Sequence, residues 1–438
     1  MSTLEQLRRG ELAGSTRLDL SADLHECPEE IFALADSLEI LNLSGNRLTD
    51  LPADLPRLRK LRILFCSDNP FTTLPEVLGD CPQLEMVGFK ANRIRHLPAA
   101  ALPPQLRWLI LTDNRLERLP AELGDCSRLQ KLMLAGNQLQ SLPRHLAGLS
   151  RLELLRIAAN RLETLPGWLT ELPRLSWLAF AGNPFSDASE AEILRQHPLP
   201  PIPRSSIELG EILGQGASGI IHRADWQRPG QPAQAMAAKL FKGSVTSDGL
   251  PHSEMAACLA AGEQANLIRV AGPLAEQPGT PPGLLLELID PAFRVLAGPP
   301  SLASCTRDCY APERRFVFDE ALRIARGVAA AVAHLHGRGI LHGDLYAHNL
   351  LVNGNGNCLL GDFGAASFFD PGSAPGQALQ RIEARAFGCL LEELLERCQP
   401  DDQPTRQQRL RYLQEQCMNA QMEQRPDFAA LSASLAAL

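Results

Sequence analysis

An apolar frame, L-x-x-L-x-L-x-x-N, recurs through the first half of the chain as LEILNLSGN, LRILFCSDN, LEMVGFKAN, LRWLILTDN, LQKLMLAGN, LELLRIAAN and LSWLAFAGN. Its asparagines are Asn46, Asn69, Asn92, Asn114, Asn137, Asn160 and Asn183, separated by 23, 23, 22, 23, 23 and 23 residues. A degraded copy, TRLDLSADL, puts Asp23 one period before Asn46. Alternation inside the frame predicts one short strand per repeat with its leucines on one face. No single repeat can bury those leucines, so the copies must stack into a solenoid. The asparagine amide both donates and accepts, which suits backbone groups left where the chain turns out of a strand.

Most of the asparagines are followed by an apolar residue and then Leu-Pro, as in NRLTDLP and NQLQSLP. With that return segment the first half resembles the 23-residue class of leucine-rich repeats. The resemblance implies an α/β solenoid over residues 1–186, with parallel strands on its concave face, about seven repeats and an N-terminal cap. The third position of the frame reads Ile40, Ile63, Met86, Trp108, Lys131, Leu154 and Trp177, and the fifth Asn42, Phe65, Gly88, Ile110, Met133, Arg156 and Ala179. Strand alternation turns both columns to the concave side. An exposed apolar strip there marks a partner site. The expected contact residues are Ile63, Phe65, Met86, Trp108, Ile110, Met133, Leu154 and Trp177, with the two tryptophans as anchors. Their partner is another protein or the chain's own second half.

After Asn183 the period stops. DASEAEILRQH predicts a short helix capped by Asp187 or Ser189. PLPPIPR then sets Pro198, Pro200, Pro201 and Pro203 within seven residues, a stiff spacer. Residues 187–206 read as a linker.

The second half opens with IELGEILGQGASGIIHRADW, in which Gly214, Gly216 and Gly219 form G-x-G-x-x-G. Such glycines let a strand–turn–strand flap approach phosphates closely. A dinucleotide fold would continue as a helix, whereas IIHRADW continues as a strand. AMAAKLFKG places Lys239 on a buried strand after Ala237. A lysine is costly there unless it meets opposite charge. A predicted helix then carries Glu254, fifteen residues past Lys239, and Glu263. Glu254 is the expected ion-pair partner and Glu263 the alternative. GLLLELID is a strand leading out of this region, and FDEALRIARGVAAAVAHLHGRGILHGDL is a long amphipathic helix running into HGDLYAHN. Asp344 and Asn349 stand five apart, and Asp362, in DFG, lies eighteen residues after Asp344.

Taken in order, these elements resemble the eukaryotic-like protein kinases, over about residues 207–438. The resemblance implies a bilobal α+β domain using ATP and Mg²⁺. Asp344 would orient or deprotonate the attacking hydroxyl, with Lys239 and Glu254 as the phosphate-binding pair and Asn349 and Asp362 as metal ligands. Leu213, Gly214, Gly216, Gly219, Ile221, Ala237, Lys239, Leu286, Glu287, Ile289 and Leu351 would line the nucleotide site. Glu383 stands at a large-lobe aspartate position, and Arg425 belongs to a final R-P-x-F helix.

The loop also departs from that pattern. Gly343 replaces an arginine that neutralises an activation-loop phosphate, and Tyr346 replaces a lysine that helps place the γ-phosphate. Between Asp362 and Glu383 the hydroxyl residues are Ser367 and Ser373, and APG at 374–376 is a poor match for A-P-E, which leaves Arg425 without its glutamate. The leading expectation is a serine/threonine protein kinase that also acts on itself, with the repeats choosing partners. The alternatives are a small-molecule kinase or ATPase, and a nucleotide-binding scaffold without catalysis.

A net charge of −8 and the lack of a basic tract argue against nucleic-acid binding. The longest apolar runs are too short for a membrane span. Eleven cysteines without a C-x-x-C pair fit reduced thiols and a cytoplasmic location. Cys305 and Cys309 alone offer too few ligands for a metal.

Overall fold

The computed structural model describes residues 2–438 except 197, 198, 217, 243, 244, 247, 401 and 402. Pro198 of the expected spacer therefore lies outside the described residues. The chain divides into two compact units, Met1–Leu172 and Pro173–Leu438. The last repeat, expected to close the first domain at residue 186, packs within the second unit.

The first unit opens with helix α1 (Thr3–Arg8), whose Ser2 and Glu5 exchange backbone and side-chain hydrogen bonds as a capping box. Seven three-residue strands follow: β1 (Arg17–Asp19), β2 (Ile40–Asn42), β3 (Ile63–Phe65), β4 (Met86–Gly88), β5 (Trp108–Ile110), β6 (Lys131–Met133) and β7 (Leu154–Arg156). They pair in chain order, all parallel, and Ile40, Ile63, Met86, Trp108, Lys131 and Leu154 stand in one register row. The 23-residue period is this register. Each return segment is a short 3₁₀ turn, such as Ala121–Asp125 after Pro120. Central leucines such as Leu41, Leu64, Leu109 and Leu132 are fully buried.

The asparagine column ties each repeat to the one before. Asn137 Nδ2 donates to Leu111 O at 2.9 Å and Leu134 O at 3.0 Å, while its Oδ1 accepts from Leu116 N–H at 3.0 Å. Asn46, Asn69, Asn114 and Asn160 repeat the pattern. Asp23 does not join the column; it is exposed and pairs with Arg47.

The expected apolar strip is not an exposed one. Ile63, Met86, Met133 and Leu154 are buried, and Phe65, Trp108 and Ile110 half-buried. Adjacent parallel strands bring these side chains over their neighbours. Trp108 Nε1 meets Met133 Sδ at 3.2 Å and Lys131 Nζ lies 4.2 Å from its ring centroid. Phe65 occupies the space a side chain on Gly88 would need.

The second unit begins with the last repeat strand, β8 (Trp177–Ala179), and helix α2 (Pro184–Gln196). An antiparallel sheet follows from β9 (Ile207–Gln215), β10 (Gly219–Trp226), β11 (Gln234–Phe241), β12 (Val270–Pro273) and β13 (Gly283–Glu287), with α3 (Pro251–Ala261) between β11 and β12. Its order is β12-β13-β11-β10-β9. Ile202, at the end of the proline-rich stretch, packs into this sheet's core with Ala224, Met236, Ala238, Leu274 and Leu285. The spacer is therefore anchored to the sheet there.

The helical part comprises β14 (Arg294–Val295), α4 (Phe318–Gly337), β15 (Ile340–Leu341), β16 (Leu350–Val352), β17 (Cys358–Leu360), β18 (Ser367–Phe368), α5 (Ala374–Glu396), α6 (Pro404–Cys417) and α7 (Phe428–Ala436). Residues 374–376 form the first turn of α5, capped by Ser373 Oγ, which accepts from Gly376 N–H at 3.0 Å. Among the described residues no helix is long and apolar enough to cross a membrane.

Candidate active site

Strand register sets the first half of the site. Gly214 pairs with Ile221, Ile221 with Lys239, and Ala237 with Leu286. Paired residues share a sheet face and next-but-one residues return to it. Ile221, Ala237, Lys239 and Leu286 therefore lie on one side. The three glycines are not equivalent. A Cβ on Gly219 would sit 2.4 Å from Leu240 O, whereas Gly214 and Gly216 have nothing within 4 Å. Packing requires Gly219; open space surrounds the other two. Leu213, at the same turn, is 46% exposed.

Lys239 Nζ forms an ion pair and hydrogen bond with Glu254 Oε1, across from β11 to α3. Glu263 instead pairs with Arg269 at 2.8 Å on the surface. Burial pushes the Glu254 carboxyl up, and Lys239 only partly offsets this. Burial disfavours the Lys239 ammonium, but the carboxylates of Glu254 and Asp362 outweigh it and hold the charge. A cavity of about 170 Å³ lies before this pair, lined by Gly216, Ser218, Gly219, Lys239, Asp362 and Gly364, among others. Asp362 has a left-handed backbone, φ +56°, rare outside glycine and concentrated at functional sites.

The loop after β15 carries the second half. Asn349 Nδ2 donates to Asp344 O at 2.9 Å and Oδ2 at 2.8 Å. Leu350 pairs with Leu360, and Gly361 N–H donates to Asn349 O at 3.1 Å, which brings Asn349 beside Asp362. His342 is fully buried, with Nε2 3.0 Å from Gly361 O. Beneath the loop lies Glu383, 1% exposed. Its Oε1 accepts from Gly343 N–H at 2.7 Å, and its Oε2 from His342 N–H at 3.3 Å with His336 Nε2 at 2.7 Å. Burial raises this carboxyl, but the hydrogen bond from His336, the two histidines' charges and the Gly343 N–H together take it below the usual range.

Glu287 and Ile289 line a different cavity, of about 540 Å³, with Glu263, Ile268, Arg269 and Leu359. The Glu287 N–H donates to Arg269 O at 2.9 Å. That N–H is therefore not the group that meets an adenine edge. Leu351, on β16, is half-buried.

Several contacts of this site were not expected. His348, next to Asn349, is held by Asp308, which takes its N–H and its Nδ1 at 2.8 Å. Asp308 stands between Cys305 and Cys309 in the stretch CTRDC. Tyr346 stacks on Trp177, with ring centroids 4.1 Å apart and planes 8° from parallel. Gly343 has φ +74°, and a Cβ there would lie 2.5 Å from Ala365 O and 2.7 Å from Leu178 O. Arg425 is buried, and its guanidinium donates to the carbonyls of Asn419 at 2.8 Å, Pro173 at 2.8 Å and Arg381 at 3.3 Å. Burial, with Arg385 nearby, lowers it to about 10. The carbonyl of Pro173 thus helps fill the place of the absent glutamate.

Trp177, expected to anchor either another protein or the chain's own second half, is 1% exposed and lies against that second half, at Leu345 and Tyr346. Its position in the repeat frame gives no sign of this, because Trp108 occupies the same column.

Comparison with known proteins agrees with this geometry. Residues 207–374 match the family model described as protein tyrosine and serine/threonine kinase. Leucine-rich-repeat models match residues 36–79, 104–162 and 127–185. The chain is 26% identical over 193 residues to ephrin type-B receptor 4 of Mus musculus and of Homo sapiens. It is 25% identical over 191 residues to human ephrin type-B receptor 3. These alignments cover 44%, 44% and 43% of this chain and 18% of each relative's length. The chain joins N-terminal leucine-rich repeats to a C-terminal protein-kinase domain.

Proposed function

We propose that the chain is an ATP- and Mg²⁺-dependent protein kinase that phosphorylates serine or threonine hydroxyls, its own included, with the repeats recruiting partners. One observation carries the reading. Lys239, paired with Glu254, and left-handed Asp362 line one cavity, and the Asp344–Asn349 pair is joined to Asp362 through Gly361. Phosphoryl transfer needs positioning and charge neutralisation more than covalent chemistry, and these groups supply both.

In this reading Lys239 binds the phosphates, kept charged and aimed by Glu254. The backbone around Gly216 and Gly219 covers them. Asp344, oriented by the Asn349 amide, accepts the hydrogen bond of the acceptor hydroxyl and takes its proton. Asp362 and Asn349 offer hard oxygen donors side by side, a set that fits Mg²⁺. When bound, that cation neutralises charge on the phosphate oxygens. The acid beneath the loop, Glu383, holds the backbone of His342 and Gly343 and so fixes where Asp344 begins.

One observation favours a second reading. Helix α5 starts at Ala374, leaving little chain between Asp362 and α5 to receive an extended peptide. A small acceptor would fit that better.

Labelled ATP with the purified full chain separates the readings. Label in protein phosphoserine or phosphothreonine, lost in Lys239→Ala and Asp362→Asn, supports the proposal. Phosphotyrosine alone would correct the acceptor. ATP turnover without protein label points to a small acceptor, and nucleotide binding without turnover leaves only a scaffold.

A further inference from the structure

Both departures in the catalytic loop lie where the last repeat strand meets it. Trp177 Nε1 donates to Leu345 O at 3.0 Å, and its indole lies flat on Tyr346. Leu345 and Tyr346 are the two residues directly after Asp344. One residue further along β8, the Leu178 carbonyl occupies the space a side chain at position 343 would need. An arginine cannot stand at 343, and a lysine at 346 would forfeit the ring contact. The strand's other end reaches the segment that follows Asp362. Ser367 Oγ accepts from Phe180 N–H at 2.9 Å and from Ala181 N–H at 3.2 Å.

These contacts also account for the segment's two hydroxyls. Ser367 is fully buried under the strand, and Ser373 caps α5. A phosphate on either would break a contact the fold makes. The order that other designs obtain by modifying this segment comes here from residues 177–181, which are always present.

We propose that Trp177 is a positioning residue for phosphoryl transfer. By holding Leu345 and Tyr346 it keeps the Asp344 carboxylate at its working position without modification of the segment after Asp362. The inference rests on the kinase reading above, and it predicts a change in turnover separate from nucleotide binding. A misplacement near 1 Å at a catalytic group costs roughly 100-fold in rate, while one neutral hydrogen bond is worth about 2- to 10-fold.

The test compares full-length wild type, Trp177→Ala and Trp177→Phe. The readouts are kcat and KM for ATP in transfer to casein, a fluorescent ATP analogue's Kd, and hydrogen exchange of residues 342–349. For Trp177→Ala the expectation is a kcat loss of roughly 100-fold with nucleotide Kd and exchange in α4 unchanged, and faster exchange in 342–349. Trp177→Phe keeps the stacking and loses one hydrogen bond, so its loss stays within about 10-fold. Wild-type kcat in Trp177→Ala overturns the inference, and so does a kcat loss matched by equal loss of nucleotide binding. Should Trp177→Ala not fold, Trp177→Phe with unchanged exchange at 342–349 overturns it too. A wild type that binds nucleotide but labels nothing defeats the kinase reading alone; the exchange arm then still decides the positioning role.

Discussion

The two sides of the candidate site are held in different ways. On the phosphate side, Lys239 and Glu254 meet directly across the space between β11 and α3, and both belong to the matched kinase region. The repeat-derived chain meets this side behind α3, where Glu190 of α2 accepts from Ser253 Oγ at 3.2 Å and pairs with His252 Nε2 at 3.0 Å. On the catalytic-loop side the last repeat strand contacts Leu345 and Tyr346 and crowds Gly343. The phosphate side keeps the residues its family leads one to expect. The loop side departs from them where another strand takes the space. A departure from a motif can thus be a packing requirement and not a loss.

The largest expected effect separates the sides outright. Lys239→Met removes the charge that receives phosphates, and transfer should fall by roughly 10³-fold, with exchange at 342–349 as in wild type. Altered exchange there would show the sides are not separable. Next comes the buried Arg425, which three carbonyls satisfy. Arg425→Met leaves those acceptors without their donor, so stability should fall by about 1–3 kcal/mol in denaturant unfolding. A change below about 0.5 kcal/mol would mean the carbonyls find other donors.

The smallest effect belongs to the α2–α3 tie. The hydrogen bond to Glu190 raises the His252 pKa above its ordinary value of 6.5, against some burial. Its contribution is therefore complete below that ordinary value and fades as pH rises through the raised one. With its side chain 64% exposed, the pair is screened, so the difference between wild type and His252→Ala should stay within ~0.5 kcal/mol. That difference should be present near pH 6 and absent near pH 9, by thermal melts at both. The opposite trend would remove Glu190 as the partner.

The fold was largely legible because its signals are periodic or local. The 23-residue spacing is the strand register itself, and the asparagine column is its hydrogen-bond ladder. Lys239, Glu254, Asp344, Asn349 and Asp362 stand at spacings that the register and the loop bring together. What could not be read is how the last repeat is used. LSWLAFAGN follows the same frame as LRWLILTDN, yet Trp108 lies against Lys131 and Met133 while Trp177 lies against Tyr346. Only three-dimensional packing separates the two tryptophans. The same holds for Gly343, whose meaning depends on two carbonyls distant in sequence, those of Leu178 and Ala365.

Restoring the arginine tests this account most directly. In Gly343→Arg, at φ +74° and with carbonyl oxygens 2.5 and 2.7 Å from the new Cβ, the loop cannot keep its place. Transfer of labelled phosphate by the full chain should fall by at least about 100-fold, with a lower melting temperature. A Gly343→Arg protein that melts like wild type and transfers phosphate as fast or faster would contradict the account, and would mark the loop as a damaged one repaired.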